Sequence, residues 1–175
     1  LVLFLMPALL VRQGEFSQEL LPQGTLPLHR TPSSVSAASQ DRGRVVRLSR
    51  SDGTVEELTM EEYLWGVVAA EMPASFEEEA LKAQAICART YVLRRLNYHG
   101  SLGFDVCNSD AYQVYRGVGS NRADYGPSET SDRAASETAG QVLWYNSTLA
   151  DTYYSASHGG ASESAYYVWG TSMTD

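Results

Sequence analysis

Thr59-Met60-Glu61-Glu62-Tyr63-Leu64-Trp65-Gly66-Val67-Val68-Ala69-Ala70-Glu71-Met72-Pro73 carries a start signal, a period and a stop signal. Thr59 with Glu62 three residues later is a capping box: the hydroxyl accepts the N3 amide, and the glutamate reaches back to the cap amide. Tyr63, Val67 and Ala70 then fall on one helical face, with Leu64 and Val68 beside it. Pro73 disfavours helical backbone at Met72 and closes the element. The stretch predicts a helix from Met60 to about Glu71 with one side to bury.

Next along the chain, Ser75-Phe76-Glu77-Glu78 reads as a second capping box and predicts a helix from Phe76 to about Leu96. Glu77, Glu78 and Glu79 in its first turn and Arg94 and Arg95 near its end suit the helix dipole. Its middle, Ala80 to Leu93, is small and apolar nearly all round, with Lys82, Gln84 and Arg89 as the strongly polar members. Such a helix belongs in the centre of a domain. Lys82 and Arg89 share a face, and a buried cation needs a partner.

Upstream, Arg44–Leu48 and Thr54–Leu58 are β-prone runs that turn at Ser51-Asp52-Gly53. Downstream, Tyr112–Tyr115 reads as a short strand and Ser131–Thr138 as a helix with Gly140 as its C-cap. Gln141–Tyr145 and Leu149–Ser155 read as a hairpin turning at Asn146-Ser147, and Ser157-His158-Gly159-Gly160 as a tight turn. Strands, then helices, then strands predict an α+β class: a single domain with two central helices packed against antiparallel strands and hairpins.

The remaining sequence sets the boundaries. Residues 1–11 are apolar and uncharged. They are too few to span a bilayer, which takes about 20. They read as a signal or anchor remnant, with a buried element of the domain as the alternative. Residues 12–43 lose periodicity and carry Pro22, Pro27 and Pro32 followed by serines, the composition of a flexible linker. Residues 44–175 are the domain, expected to be cut short at its C-terminus because Val168–Asp175 supplies no closing element. With 13 Lys and Arg against 21 Asp and Glu, the net charge of −8 excludes a general nucleic-acid binder. It equally disfavours docking on anionic lipid, so any membrane contact is expected through the N-terminal segment alone.

Glu71 is the most informative candidate for chemistry. It stands at a helix end behind Val67-Val68-Ala69-Ala70. Desolvation there would raise a carboxyl pKa toward the range of a general acid, and an exposed glutamate at a helix terminus is the plainer alternative. His158, in Ser155-Ala156-Ser157-His158-Gly159-Gly160, is a base, a metal ligand, a substrate contact or an ordinary loop histidine. Cys107 has Asp105 and Asp110 nearby but no second cysteine at ligand spacing, and Cys87 reads as a small packed hydrophobe. Tyr112, Tyr115, Trp144, Tyr153, Tyr154, Tyr166, Tyr167 and Trp169 suit a sugar-binding cleft or core packing.

Taken together, these stretches resemble the stage II sporulation protein D / amidase-enhancer (LytB-type) family. The resemblance rests on Glu61–Pro73, on Glu79–Tyr91, on Tyr112-Gln113-Val114-Tyr115-Arg116-Gly117, on Ala135–Leu143 and on Tyr154–Gly160, in that order. It implies a bacterial, extracytoplasmic cell-wall protein, secreted or membrane-anchored. It further implies a lytic transglycosylase that cleaves the β-1,4 bond from N-acetylmuramic acid to N-acetylglucosamine in peptide-stripped peptidoglycan glycan. The family's catalytic glutamate falls on Glu71. One carboxyl group suffices: it protonates the leaving oxygen, then takes the proton of the muramic 6-hydroxyl that attacks C1. The resemblance implies Lys82, Gln84, Arg89, Tyr154, Ser155, Ser157, His158 and Gly159, with Gly160, as substrate-binding or cleft residues. Some members hold zinc in a C-x-x-x-H-C pattern. Here the positions after Cys107 carry Ala111 and Tyr112, so no metal and no cofactor is expected. The same family contains amidase enhancers, so the alternative is a non-catalytic protein that binds glycan or a partner cell-wall amidase.

Overall fold

The computed structural model describes residue 41 and residues 43–109, 112–117, 129–155, 167–168 and 170. The N-terminal segment, most of the linker and the His158 turn lie outside the described residues.

Strands β1 (Val45–Ser49) and β2 (Val55–Thr59) form an antiparallel hairpin in the register Val45↔Thr59 to Ser49↔Val55. Its turn is held locally: the Arg50 amide donates to the Thr54 carbonyl at 2.8 Å, and the Asp52 carboxylate accepts the Thr54 amide at 2.9 Å. Gly53 takes φ 83°, which a side chain would resist. The alternation expected of a strand with one wet face is present, Val46 and Leu48 being buried and Val45 exposed.

β2 runs straight into α1 (Met60–Glu71) through the predicted capping box. The Thr59 hydroxyl accepts the Glu62 amide at 3.2 Å, and the Glu62 carboxylate accepts the Thr59 amide at 2.9 Å. α2 (Glu78–Arg95) is the central helix, with Leu81, Ala85, Ala88 and Val92 fully buried. The capping box at Ser75 does not form. The Phe76 amide closes a turn on the Pro73 carbonyl at 3.0 Å, and α2 starts two residues later on Glu77 without a side-chain cap. α3 (Glu129–Glu137) lays Ala134 and Ala135 against both longer helices and ends at Gly140, whose φ is 72°.

Two further corrections concern strands. β3 (Val106–Cys107) joins the sheet parallel to β1, giving the order β2-β1-β3. The strand expected at Tyr112–Tyr115 is absent: the Tyr112 amide closes a turn on the Ser109 carbonyl, and the Val114 and Tyr115 amides go to side chains rather than to a ladder. The second hairpin does form, as β4 (Trp144–Tyr145) and β5 (Thr148–Leu149), shorter than expected. Asn146 and Ser147 at its tip have φ 46° and 64°, the positive pair a two-residue hairpin turn requires. The class is α+β, as read from the sequence.

α2 organises the chain on its C-terminal side. The Arg89 side chain, 1% exposed, pairs with Asp41 at 2.9 Å and donates to the Ala135 carbonyl at 2.9 Å and the Thr138 hydroxyl at 3.3 Å. Thr90 Oγ1 accepts the Leu143 amide at 3.0 Å, and Thr152 donates to the Cys87 carbonyl at 2.7 Å. Arg94 pairs with Asp151 at 3.0 Å and also donates to the Leu149 carbonyl. One helix thus holds α3, the hairpin and the strand-like chain leaving it.

Candidate functional site

Glu71 is the last residue of α1. Met72 leaves the helix in extended backbone (φ −136°, ψ 129°), as the following proline requires. The last turn has no basic residue, so the helix itself offers nothing to a carboxylate there. The partner comes from elsewhere in the chain: the Val114 amide donates to Glu71 Oε1 at 2.9 Å.

Gly66 is what brings Val114 that close. The Tyr115 ring packs directly on the Gly66 backbone, in the space a β-carbon would fill. Tyr115 is 2% exposed and stacks on Tyr63 with ring centroids 5.9 Å apart, and the Arg50 guanidinium lies 5.1 Å above its ring. The Tyr115 amide donates to Asn108 Oδ1 at 3.1 Å and the Arg116 amide to the Gly66 carbonyl at 3.4 Å. Residues 113–116 are thereby laid along the last two turns of α1.

A series of side chains continues from there. Tyr63 Oη donates to Gln113 Oε1 at 3.1 Å, and Gln113 Nε2 donates to Tyr154 Oη at 3.4 Å. The Tyr154 pKa is driven well up, first by desolvation and then by the negative charge and hydrogen bonding of Glu71. The residue is nevertheless 36% exposed. A carboxyl group with a fixed backbone donor, beside a tyrosine hydroxyl and facing an accessible surface, has the makings of a proton-transfer site.

The expected site residues separate into groups. Tyr154 is brought to Glu71, and Ser155 comes next at the surface. Lys82 is engaged by Glu78 at 2.8 Å, Glu79 at 3.1 Å and Glu137 at 2.9 Å, tying α2 to α3. Those three carboxylates raise its pKa, the Glu78 bond most. Arg89 is occupied by Asp41 and the end of α3, and Gln84 is buried in the helix packing. Ser157, His158, Gly159 and Gly160 lie outside the described residues. So do positions 110 and 111; Cys107 Sγ lies 3.4 Å from Ser109 Oγ, and Tyr112 is hydrogen-bonded to His99. Among the described residues no group of three His, Cys, Asp or Glu side chains is placed to hold a metal ion. Gln113, Val114 and Tyr63 join the site through the fold and are not among the residues the sequence singles out for it. The signals for them are their place in two of the stretches that carry the resemblance and, for Gln113, a glutamine inside a short aromatic and β-prone run, where a buried amide needs partners.

The family model described as "Stage II sporulation protein" matches residues 49–145, a span that contains α1, α2 and the Gln113–Val114 segment. The chain belongs to the SpoIID family. Its resemblance to that family, read from the residues, is borne out. This SpoIID chain is 35% identical to Stage II sporulation protein D of Bacillus subtilis (strain 168) over 125 residues, 66% of this chain and 36% of that protein. It is 39% identical to the amidase enhancer of the same organism over 110 residues, 63% of this chain and 14% of that protein. It is 31% identical to Stage II sporulation protein D of Bacillus amyloliquefaciens over 128 residues, 68% of this chain and 37% of that protein. The SpoIID chain therefore spans well under half the length of each relative. Among its described residues no helix is long and apolar enough to cross a membrane.

Proposed function

We propose that this chain carries a lytic transglycosylase activity of the bacterial cell envelope, cleaving peptide-stripped peptidoglycan glycan with Glu71 as general acid and base. The observation that carries the reading is the Glu71 carboxylate, held by the Val114 amide at 2.9 Å within the stretch matched by the family and flanked by Tyr154 just beyond it. A backbone donor on Oε1 marks that oxygen as the acceptor in the neutral acid and leaves Oε2 to carry the proton. Glu71 gives that proton to the glycosidic oxygen as the bond to muramic C1 breaks. The resulting carboxylate takes the proton of the muramic 6-hydroxyl as its oxygen bonds to C1. The proton returns to Glu71, no water is consumed, and the product ends in a 1,6-anhydro ring. A second catalytic carboxylate, which ordinary glycosidases need, is not required.

The exposed faces of Trp144, Tyr145 and Tyr153, on the hairpin and the chain that leads to Tyr154, support a sugar-binding surface. Lys82 and Arg89 fit a supporting role better than direct contact with glycan, since both are engaged within the protein. The deciding experiment is digestion of peptide-stripped glycan strands by wild type and by Glu71→Gln, with mass spectrometry of the products. Glutamine keeps an acceptor for the Val114 amide and removes the titrating proton. Anhydro-muramic ends from wild type alone are expected; equal turnover by Glu71→Gln would remove the mechanism.

A second reading is a non-catalytic role in which the chain binds glycan or a cell-wall amidase. It is favoured by the similarity to a protein named amidase enhancer. It predicts glycan retention without anhydro products from any variant.

A further inference from the structure

We propose that Gln113 is a positioning residue for Glu71, acting through Tyr154; the inference rests on the reading of Glu71 as acid and base. Gln113 is 2% exposed, and both ends of its amide are engaged. The fully buried Tyr63 hydroxyl donates to Oε1, which fixes which way the amide faces. A flipped amide would put Nε2 against Tyr63 and strip that hydroxyl's hydrogen of its acceptor. With Oε1 so committed, Nε2 points to Tyr154 and donates to the phenol oxygen at 3.4 Å. The Tyr154 hydrogen is then left to the side away from Gln113, where Glu71, held by the amide of the next residue, Val114, is its electrostatic neighbour. Tyr63 and Gln113 each donate in the same direction, from the core toward Tyr154.

The consequence is a Tyr154 that meets Glu71 as a donor, alongside the Val114 amide. Two donors from different segments hold the carboxylate plane when it must accept the 6-hydroxyl proton. Gln113 is buried, and its side-chain hydrogen bonds go to Tyr63 and Tyr154. Its loss therefore acts on the orientation of the reacting group and not on glycan affinity.

The test uses Gln113→Leu, Tyr154→Phe and the double variant of the whole chain, with kcat and KM on peptide-stripped glycan. Thermal melting checks folding. Gln113→Leu is expected to lower kcat about 10- to 100-fold, the scale of a misaligned catalytic group, with KM within about twofold. The double variant is expected to be no slower than Tyr154→Phe alone, because both changes cut one series. Losses that multiply would overturn the proposal. Gln113→Glu covers the case in which leucine prevents folding. It fills the same volume and still accepts from Tyr63, but offers Tyr154 an acceptor and draws its hydrogen off Glu71. Wild-type kcat in Gln113→Glu would also overturn it. An independent readout is the 13Cζ resonance of Tyr154, assigned by its disappearance in Tyr154→Phe. It is expected to move in both Gln113→Leu and Glu71→Gln. A resonance unmoved by Gln113→Leu sinks the relay whatever the activity, whereas full turnover by Glu71→Gln sinks the acid/base reading itself.

Discussion

Replacing Gly66 by alanine tests the packing that brings the Gln113–Val114 segment to Glu71. The added methyl would meet the Tyr115 ring at 2.5 Å from Cδ2 and 3.0 Å from Cζ, with Cε2 nearer still. Ordinary carbon contacts lie at about 3.5–4.0 Å. The ring has little freedom to withdraw, being stacked on Tyr63 and covered by Arg50. Overpacking of this kind costs about 1–3 kcal/mol, and a clash this deep belongs at the upper end. Alanine in a helix interior returns about 1 kcal/mol relative to glycine. The net expectation is a loss of about 2 kcal/mol, from those two terms. Urea denaturation measures it, as a lower midpoint at unchanged slope. The sign is the sharper check. In a Tyr115→Ala background the space is empty, so Gly66→Ala should become neutral or stabilising. Gly66→Ala as stable as wild type, or equally harmful with and without the ring, would refute the reasoning. Activity on glycan should fall further than stability, since residues 113–116 are displaced from α1.

Other substitutions address other parts of the structure. Arg89→Met leaves Asp41, 11% exposed, without its counter-charge and removes the donors to α3; breaking such a pair costs about 3–5 kcal/mol, and a urea midpoint within error of wild type would contradict it. Burial works against ionisation of Asp105, but the Arg47 side chain and amide and the Asn97 amide outweigh it and hold the carboxyl below the usual range. A depressed carboxyl stabilises above its unfolded pKa of about 3.9 and loses that contribution as pH falls through the folded value. Asp105→Asn should therefore flatten the decline of stability in acid, measured as unfolding free energy against pH; an unchanged acid limb would rule Asp105 out as its source. Trp144→Ala, at a residue 64% exposed, should change stability by less than about 0.5 kcal/mol while weakening glycan retention severalfold in a pull-down; unchanged retention would take the hairpin out of the sugar surface.

Much of this was legible where a signal is local. The capping box and Met72-Pro73 bracket α1 to the residue, because start and stop are decided by groups within one turn. The Asn146-Ser147 turn likewise declared its hairpin. Ser75 misled because the Pro73 carbonyl draws the Phe76 amide into a turn of its own, and a side-chain cap then has no helix to begin. β3 is two residues long and exists through its pairing with β1, a partner no window of sequence contains. Tyr112–Tyr115 has the composition of a strand, but the amides of Val114, Tyr115 and Arg116 are taken by Glu71, Asn108 and Gly66. Arg89 announced that it needed a partner without saying which. Asp41, far upstream in the stretch read as linker, offered no pattern to connect them. Glu71 was visible as a residue type at a helix end. Its surroundings were not, because they come from two segments beyond α2.

The neighbours of Glu71 arrive late in the chain. Its backbone donor is 43 residues downstream, and Tyr154 lies 41 residues beyond Gln113. α1, complete and capped, precedes both of them. A growing or emerging polypeptide thus possesses the acid long before it possesses the groups that aim it. If those contacts are what make Glu71 competent, a chain interrupted between residues 71 and 114 carries the carboxyl with neither neighbour, and one interrupted between 114 and 154 lacks the tyrosine. The order of segments then leaves that carboxyl without its full set of neighbours until the chain that follows β5 has docked on α2.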